Sequence, residues 1–200
     1  MTIYLVRHGL AAAGVEDLDP GLSEIGHEQA RATAEALRNA RSPRLLVSPL
    51  RRTRETAHPI EAALGLAALV REEVAEVFDP SMSVEERTRM LAPFMAGRWS
   101  EQNETLQAWR RRCADAILAL GLEASAQDAD LVVVSHYIAI CVAIGAATGD
   151  DRVVPVPVAN CSITSLTAGH GELTLVEAGS TSHLRPELVT GVRSAMLGKG

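Results

Sequence analysis

Residues 131–147 carry no formally charged side chain, and the segment begins Leu131-Val132-Val133-Val134, four large apolar residues with no polar alternation. A strand with one face in water alternates, whereas a continuous apolar run is the pattern of a strand covered on both faces. The segment is short for a membrane span and is interrupted by Ser135, His136 and Tyr137, so it reads as a buried strand followed by a buried helix. Such a strand needs a layer above it and a layer below. The expected architecture is therefore a three-layer α/β/α sandwich with a mostly parallel central sheet.

The rest of the chain supplies those layers, and all 200 residues read as a single domain without internal repeats. Residues 2–6 form a compact apolar run that ends in Arg7-His8-Gly9, a buried first strand leading into a polar loop. Residues 23 to about 40 read as a helix, with Ser23 as N-cap and Ile25, Ala30, Ala34 and Leu37 as its apolar stripe. Residues 45–47 are a second strand, after which Ser48-Pro49 suggests a helix start with serine as N-cap and proline in the first turn. Ser83 and Glu86 have the spacing of a capping box for a third helix. Leu106, Trp109, Cys113, Ile117 and Leu120 mark one face of a long amphipathic helix. Residues 162–166 and 173–176 read as a hairpin turning at Gly169-His170-Gly171, and the tail past residue 184 reads as loosely held.

Composition narrows the partners. With 19 basic and 25 acidic side chains the net charge is −6, which argues against general polyanion binding and leaves no expectation of a nucleic-acid or membrane partner. The amino-terminal apolar stretch is too short for a signal peptide, and Arg7 stands where its hydrophobic region would continue. Cys113, Cys141 and Cys161 are far apart in apolar stretches and lack zinc-site spacing, which suits reduced, buried thiols and a cytoplasmic setting.

In an open α/β sheet, ligands bind beyond the carboxyl ends of the strands. Three polar segments follow buried strands: Arg7-His8-Gly9, residues 48–54, and Ser135-His136. Together they would gather two imidazoles and several guanidiniums at one sheet edge. Arginine offers paired planar donors to phosphate oxygens, and a neutral imidazole is a competent nucleophile that neighbouring guanidiniums help to keep unprotonated. A small anionic, phosphorylated ligand is the chemistry such a cleft suits.

The segments Leu5-Val6-Arg7-His8-Gly9, Asp19-Pro20-Gly21-Leu22-Ser23-Glu24-Ile25-Gly26 with Gln29-Ala30, Ser48-Pro49-Leu50-Arg51-Arg52-Thr53-Arg54-Glu55-Thr56-Ala57, Val134-Ser135-His136, Asn160-Cys161-Ser162 and Ser182-His183-Leu184 follow one another along most of the chain. As an ordered set they resemble the histidine phosphatase superfamily, also called the phosphoglycerate mutase-like family. The resemblance implies that His8 attacks phosphorus and is transiently phosphorylated, while Arg7, Arg52 and His136 hold the phosphoryl oxygens. A carboxylic acid would protonate the leaving oxygen before water releases phosphate. Glu76 best fits the acid position, with Glu73 as the alternative; the scheme requires no metal and no cofactor. The sequence departs from the family at Leu10 and Tyr137, which suggests a narrower or more apolar mouth, and Asp79-Pro80-Ser81-Met82 stands where a Gly-x-Trp-Glu-Gly block is common.

The implied activity is a histidine acid phosphatase-like phosphomonoesterase acting on a small phosphorylated metabolite. A mutase that returns the phosphoryl group to bound product, and a phospho-ligand binding domain without turnover, are the alternatives. Which metabolite is the substrate, and whether the chain forms a homo-oligomer, stay open. Arg51 and Arg54, at helical spacing around Glu55, read as a solvated face, as do Arg110, Arg111 and Arg112. His27, His58, His170 and His183 read as structural or exposed, with His183 supporting the core or the pocket rim.

Overall fold

The computed structural model describes residues 1–12, 17, 19–78, 82 and 84–192. One sheet runs through it, formed by β1 (Ile3–Arg7), β2 (Arg44–Val47), β3 (Leu69–Val70), β4 (Leu131–Ser135), β5 (Ile163–Gly169) and β6 (Glu172–Ser180) in the order β3-β2-β4-β1-β5-β6. Strands β3, β2, β4 and β1 are parallel, and β5 and β6 close one edge as an antiparallel hairpin. The helices are α1 (Glu24–Leu37), α2 (Arg51–Leu64), α3 (Val84–Ala96), α4 (Glu104–Ala126) and α5 (Tyr137–Thr148).

The charge-free segment does what its composition demands. All five residues of β4 are buried. Leu131 and Val133, with Ile3 and Leu5 of β1, face a core shared with α4 and α5. Val132 and Val134, with Val6, face the opposite core, built with Ala34 and Leu37 of α1 and Ala57 and Ile60 of α2. The period-two alternation of a strand thus places helices on both faces, and the sandwich has three layers. Residues 138–145 of α5 are all buried, as expected of a helix that is apolar all round. Helix α4 buries Cys113, Ile117 and Leu120, while Leu106 and Trp109 are partly covered at its start.

Several local expectations need correction. Ile25 is 41% exposed, and the buried face of α1 is instead Gly26, Gln29, Ala30, Thr33, Ala34 and Leu37. The helix is rolled so that Gly26 meets the loop after β1, where a Cβ on Gly26 would overlap the carbonyl oxygen of Leu10. Ser48 does not cap α2, which begins at Arg51 with Leu50 at the N-cap and no side-chain cap from it. Asp19, from a distant loop, accepts the Arg51 N–H at 3.0 Å in its place. Ser83, expected to cap α3, lies outside the described residues, as do Asp79, Pro80 and Ser81. The hairpin strands are longer than expected and turn through His170 (φ 53°) and Gly171 (φ 80°). The two-residue strand β3, at the sheet edge, was not signalled by any apolar period.

The tail is not loose over residues 184–192. Leu184 and Leu188 are buried against Leu22 and Ala30, and the Gln29 amide donates to the Leu188 carbonyl at 2.6 Å. Hydrogen bonds and two isolated leucines hold this segment, which is why no periodicity announced it. Arg110 also departs from the expected solvated face, since it pairs with Asp151 at 3.0 Å and lies over the Trp99 ring; Arg111 and Arg112 are exposed.

The contact at Gly26 yields a stability test. Alanine is the better helix former by about 1 kcal/mol, but the backbone collision should outweigh it. Gly26→Ala is expected to lower the urea unfolding free energy by about 2 kcal/mol; a neutral or stabilised variant would show that the loop does not rest on α1.

Candidate active site

Strand register brings the site together. Arg7 pairs with Ser135 across β1 and β4, and Val47 with Val134 across β2 and β4. The next residues, His8, Ser48 and His136, therefore emerge at one edge, with His8 N–H donating to the Ser135 carbonyl at 3.0 Å and Ser48 N–H to the Val134 carbonyl at 3.1 Å. Helix α2 starts three residues after Ser48 and turns Arg52 in towards both histidines.

The ring centroids of His8 and His136 are 5.3 Å apart. Arg52 lies between them, its Nε donating to His8 Nε2 at 3.3 Å and its Nη2 reaching His136 Nδ1 at 3.3 Å. His8 Nδ1 lies 2.8 Å from the Gly9 carbonyl. A carbonyl only accepts, so Nδ1 carries the proton and the Nε2 lone pair faces the cleft. The same reasoning applies to His136, whose Nδ1 accepts from Arg52 and whose Nε2 donates to Ser48 Oγ at 2.7 Å. Burial, followed by the charges of Arg7 and Arg52, pushes the His8 pKa well below its ordinary value. His136 is pushed the same way, mainly by burial. Both rings are neutral at neutral pH.

Arg7 is anchored from the far side. Its Nη1 donates to the carbonyls of Val158 at 2.8 Å and Gly191 at 3.2 Å, and its guanidinium carbon sits 4.8 Å from the centre of the Tyr137 ring. Tyr137 therefore spends one face of its ring on Arg7. Glu76 places Oε2 3.9 Å from His136 Nδ1, while its Oε1 accepts the Val77 N–H at 2.9 Å. Glu73 is exposed. Arg52 also approaches Asp19 at 3.6 Å. Arg7, His8, Arg52, Glu76 and His136 are thus neighbours in one cleft, and Glu73 stands apart from them.

Sequence reasoning gave no role to the polar residues that hold this cleft. Gly9 N–H donates to Thr56 Oγ1 at 3.0 Å, and Leu10 N–H to Gln29 Oε1 at 2.8 Å. The Gln29 amide also donates to Thr190 Oγ1 at 2.8 Å. Thr190 continues to Asn160 Oδ1 at 3.2 Å, and the Asn160 amide donates to the His8 carbonyl at 3.1 Å. Gln29, Thr56 and Asn160 are fully or almost fully buried. A glutamine inside a helix's apolar stripe was the one available signal, since a buried amide demands partners.

The remaining candidates stand elsewhere. His183 Nε2 sits 3.1 Å from Thr33 Oγ1 and 3.0 Å from the Cys161 carbonyl, a structural position. His27, His58 and His170 are exposed. Arg51 pairs with Glu55 at 2.7 Å, and Arg54 is exposed, as a solvated helix face requires. The three cysteines are buried and unpaired, and burial pushes each thiol up to about 12, which leaves no thiolate at neutral pH. Among the described residues no group of three or more His, Cys, Asp or Glu is placed to hold a metal ion. No helix among them is long and apolar enough to cross a membrane.

Comparison with known proteins identifies the family and the fold. The model of the histidine phosphatase superfamily (branch 1) matches residues 3–181, and the chain belongs to that superfamily. A phosphoserine phosphatase from Entamoeba histolytica, solved with phosphoserine, is 21% identical and superposes with a TM-score of 0.71 over 92% of this chain and 99% of its own. A mycobacterial glucosyl-3-phosphoglycerate phosphatase, solved with VO3, is 23% identical with a TM-score of 0.67, covering 90% of this chain and 99% of its own. A phosphoglycerate mutase from Bacillus anthracis is 20% identical, with a TM-score of 0.67 over 91% and 94% of the two chains. These likenesses establish a shared fold. No curated protein matches the sequence.

The neutral histidines give a pH prediction. Unfolded histidines titrate near 6.5, and His8, His136 and the half-buried His183 all titrate lower when folded. Below that value the unfolded chain binds protons that the folded chain refuses, so their stabilisation is complete above pH 6.5 and is lost as the pH falls. The melting temperature should drop on acidification from about pH 7 towards about pH 5, and less steeply in His8→Asn. A flat profile for the unsubstituted protein would contradict the neutral assignment.

Proposed function

We propose that the protein is a phosphomonoesterase that hydrolyses a small phosphorylated metabolite through a phosphohistidine on His8. The observation that carries this reading is the His8 Nε2 lone pair facing the cleft beside Arg52, with the other ring nitrogen tied to Gly9. A nucleophile for phosphorus needs that lone pair at neutral pH, and burial among guanidiniums keeps it unprotonated.

The steps follow from the groups present. The phosphoryl oxygens replace the histidine nitrogens as partners of the Arg52 N–H donors, and Arg7 neutralises further charge. His136 takes up a proton at Nδ1 as the dianion binds and donates it in a hydrogen bond to a phosphoryl oxygen. His8 Nε2 bonds to phosphorus as the ester oxygen departs, and Glu76 gives that oxygen its proton. The His8 ring becomes cationic, and its Nδ1–H bond to the Gly9 carbonyl strengthens. Glu76, now a carboxylate, takes a proton from water, whose oxygen attacks phosphorus and releases inorganic phosphate and neutral His8. The balance is ester plus water to alcohol plus phosphate.

The solved neighbours named as phosphatases support hydrolysis, and the neighbour named as a mutase defines the competing outcome. Both are read together by measuring phosphate release from an aryl phosphate and isomerisation of phosphoglycerate. Release without isomerisation is the expected result; isomerisation would overturn the hydrolase reading, and a protein that binds phosphate but turns over no ester in a broad panel would be a binding domain. The buried free thiols suit a reducing, cytoplasmic setting.

Two substitutions test the assigned roles. His8→Ala should reduce turnover by on the order of 10⁴-fold or more while the protein still folds; an unchanged rate would remove His8 as nucleophile. Glu76→Gln should slow an alkyl phosphate roughly 10²-fold or more and an activated aryl phosphate far less. Equal losses on both esters would place the acid elsewhere.

A further inference from the structure

We infer that Ser135, the residue before His136, is a positioning residue for the acid step, acting through the backbone that carries Glu76. This rests on the reading of Glu76 as the acid.

Ser135 is 2% exposed, and its hydroxyl donates to the carbonyl of Val74 at 2.7 Å. Val74 ends the short turn Glu72–Val74, closed by Ala75 N–H to the Glu72 carbonyl at 3.0 Å, and Glu76 follows two residues later. Upstream, the same segment is tied at Arg71, whose N–H donates to the Val47 carbonyl at 2.8 Å. The Val74 side chain is fully buried in the core. Apolar packing fixes where Val74 sits, but it is non-directional and leaves the peptide free to swivel about that anchor. A hydrogen bond to the carbonyl is directional and sets the orientation of the peptide leading to Glu76.

The placement also couples two halves of the reaction. The Ser135 carbonyl accepts from His8 N–H at 3.0 Å, so one residue sets the backbone height of the nucleophile and, through its hydroxyl, the reach of the acid. The 3.9 Å between Glu76 and His136 Nδ1 is the distance this bond controls. Proton donation to a leaving oxygen tolerates little misplacement, whereas attack on an activated ester needs no acid.

The test uses the full chain carrying Ser135→Ala, Ser135→Cys and Ser135→Thr, alone and with Glu76→Gln. The readouts are kcat/KM for an alkyl and an activated aryl phosphate, and the affinity for vanadate. Ser135→Ala should lower the alkyl phosphate rate about tenfold, with the aryl phosphate rate and vanadate affinity within about twofold. Cysteine, a weak donor of similar size, should resemble alanine and gives the same reading if alanine does not fold; threonine, which keeps the hydroxyl, should restore the rate. In the Glu76→Gln background Ser135→Ala should cause no further loss, because the two act through one group. Equal losses on both esters, weakened vanadate binding, multiplicative loss in the double variant or no change at all would each overturn the inference. Should Glu76→Gln itself slow both esters equally, the acid assignment fails; should it be selective while Ser135→Ala is not, only the role of Ser135 fails.

Discussion

The structure turns on one guanidinium held between two uncharged imidazoles. Arg52 donates to a ring nitrogen of His8 and to one of His136, and burial keeps both rings from competing with it for charge. Asp19 stands 3.6 Å from Arg52 Nη1, while Nε and Nη2 meet neutral nitrogens, which stabilise the guanidinium less than a charged oxygen would. The proposed tetrahedral dianion would give the Nε and Nη2 donors charged oxygens in place of neutral nitrogens. On the proposed reading the donors are in place before a ligand arrives and need little reorganisation during reaction.

That arrangement depends on the sheet. Because β1, β2 and β4 are parallel and in register, the chain leaves each of them at the same end, and residues 44 and 84 positions apart from Arg52 come within hydrogen-bonding distance of it. The two cores on either side of β4 make that edge rigid. Polar residues then hold the loops that apolar packing cannot: Thr56 and Gln29 take the N–H groups of Gly9 and Leu10, and Asn160 takes the His8 carbonyl. Strand ends supply direction, and side-chain hydrogen bonds fix the last ångström.

Much of this was legible in the sequence, for identifiable reasons. The run Leu131-Val132-Val133-Val134 required two covering layers, and both are present. His8 and His136 follow strands directly and Arg52 lies in the first turn of the helix after β2, which brings all three to one edge; Glu76 stands 3.9 Å from His136 and Glu73 is exposed. What was hidden was determined by partners distant in the chain. Ser48 looked like a helix cap because the local signal for a cap and for a histidine partner is the same residue, and only the tertiary position of His136 decides between them. Ile25 looked buried because the apolar period was read without the close approach of Gly26 to Leu10. The segment 184–192 looked loose because hydrogen bonds to Gln29 and Asn160, rather than a periodic apolar face, hold it in place.

The central claim is that Arg7, His8, Arg52 and His136 serve one tetrahedral anion. A crystal structure of the protein with vanadate measures this most directly. The account expects vanadium within bonding distance of His8 Nε2, with its oxygens taking hydrogen bonds from Arg7, Arg52 and His136. Vanadate bound elsewhere, or seated with His8 Nε2 turned away from it, would contradict the account.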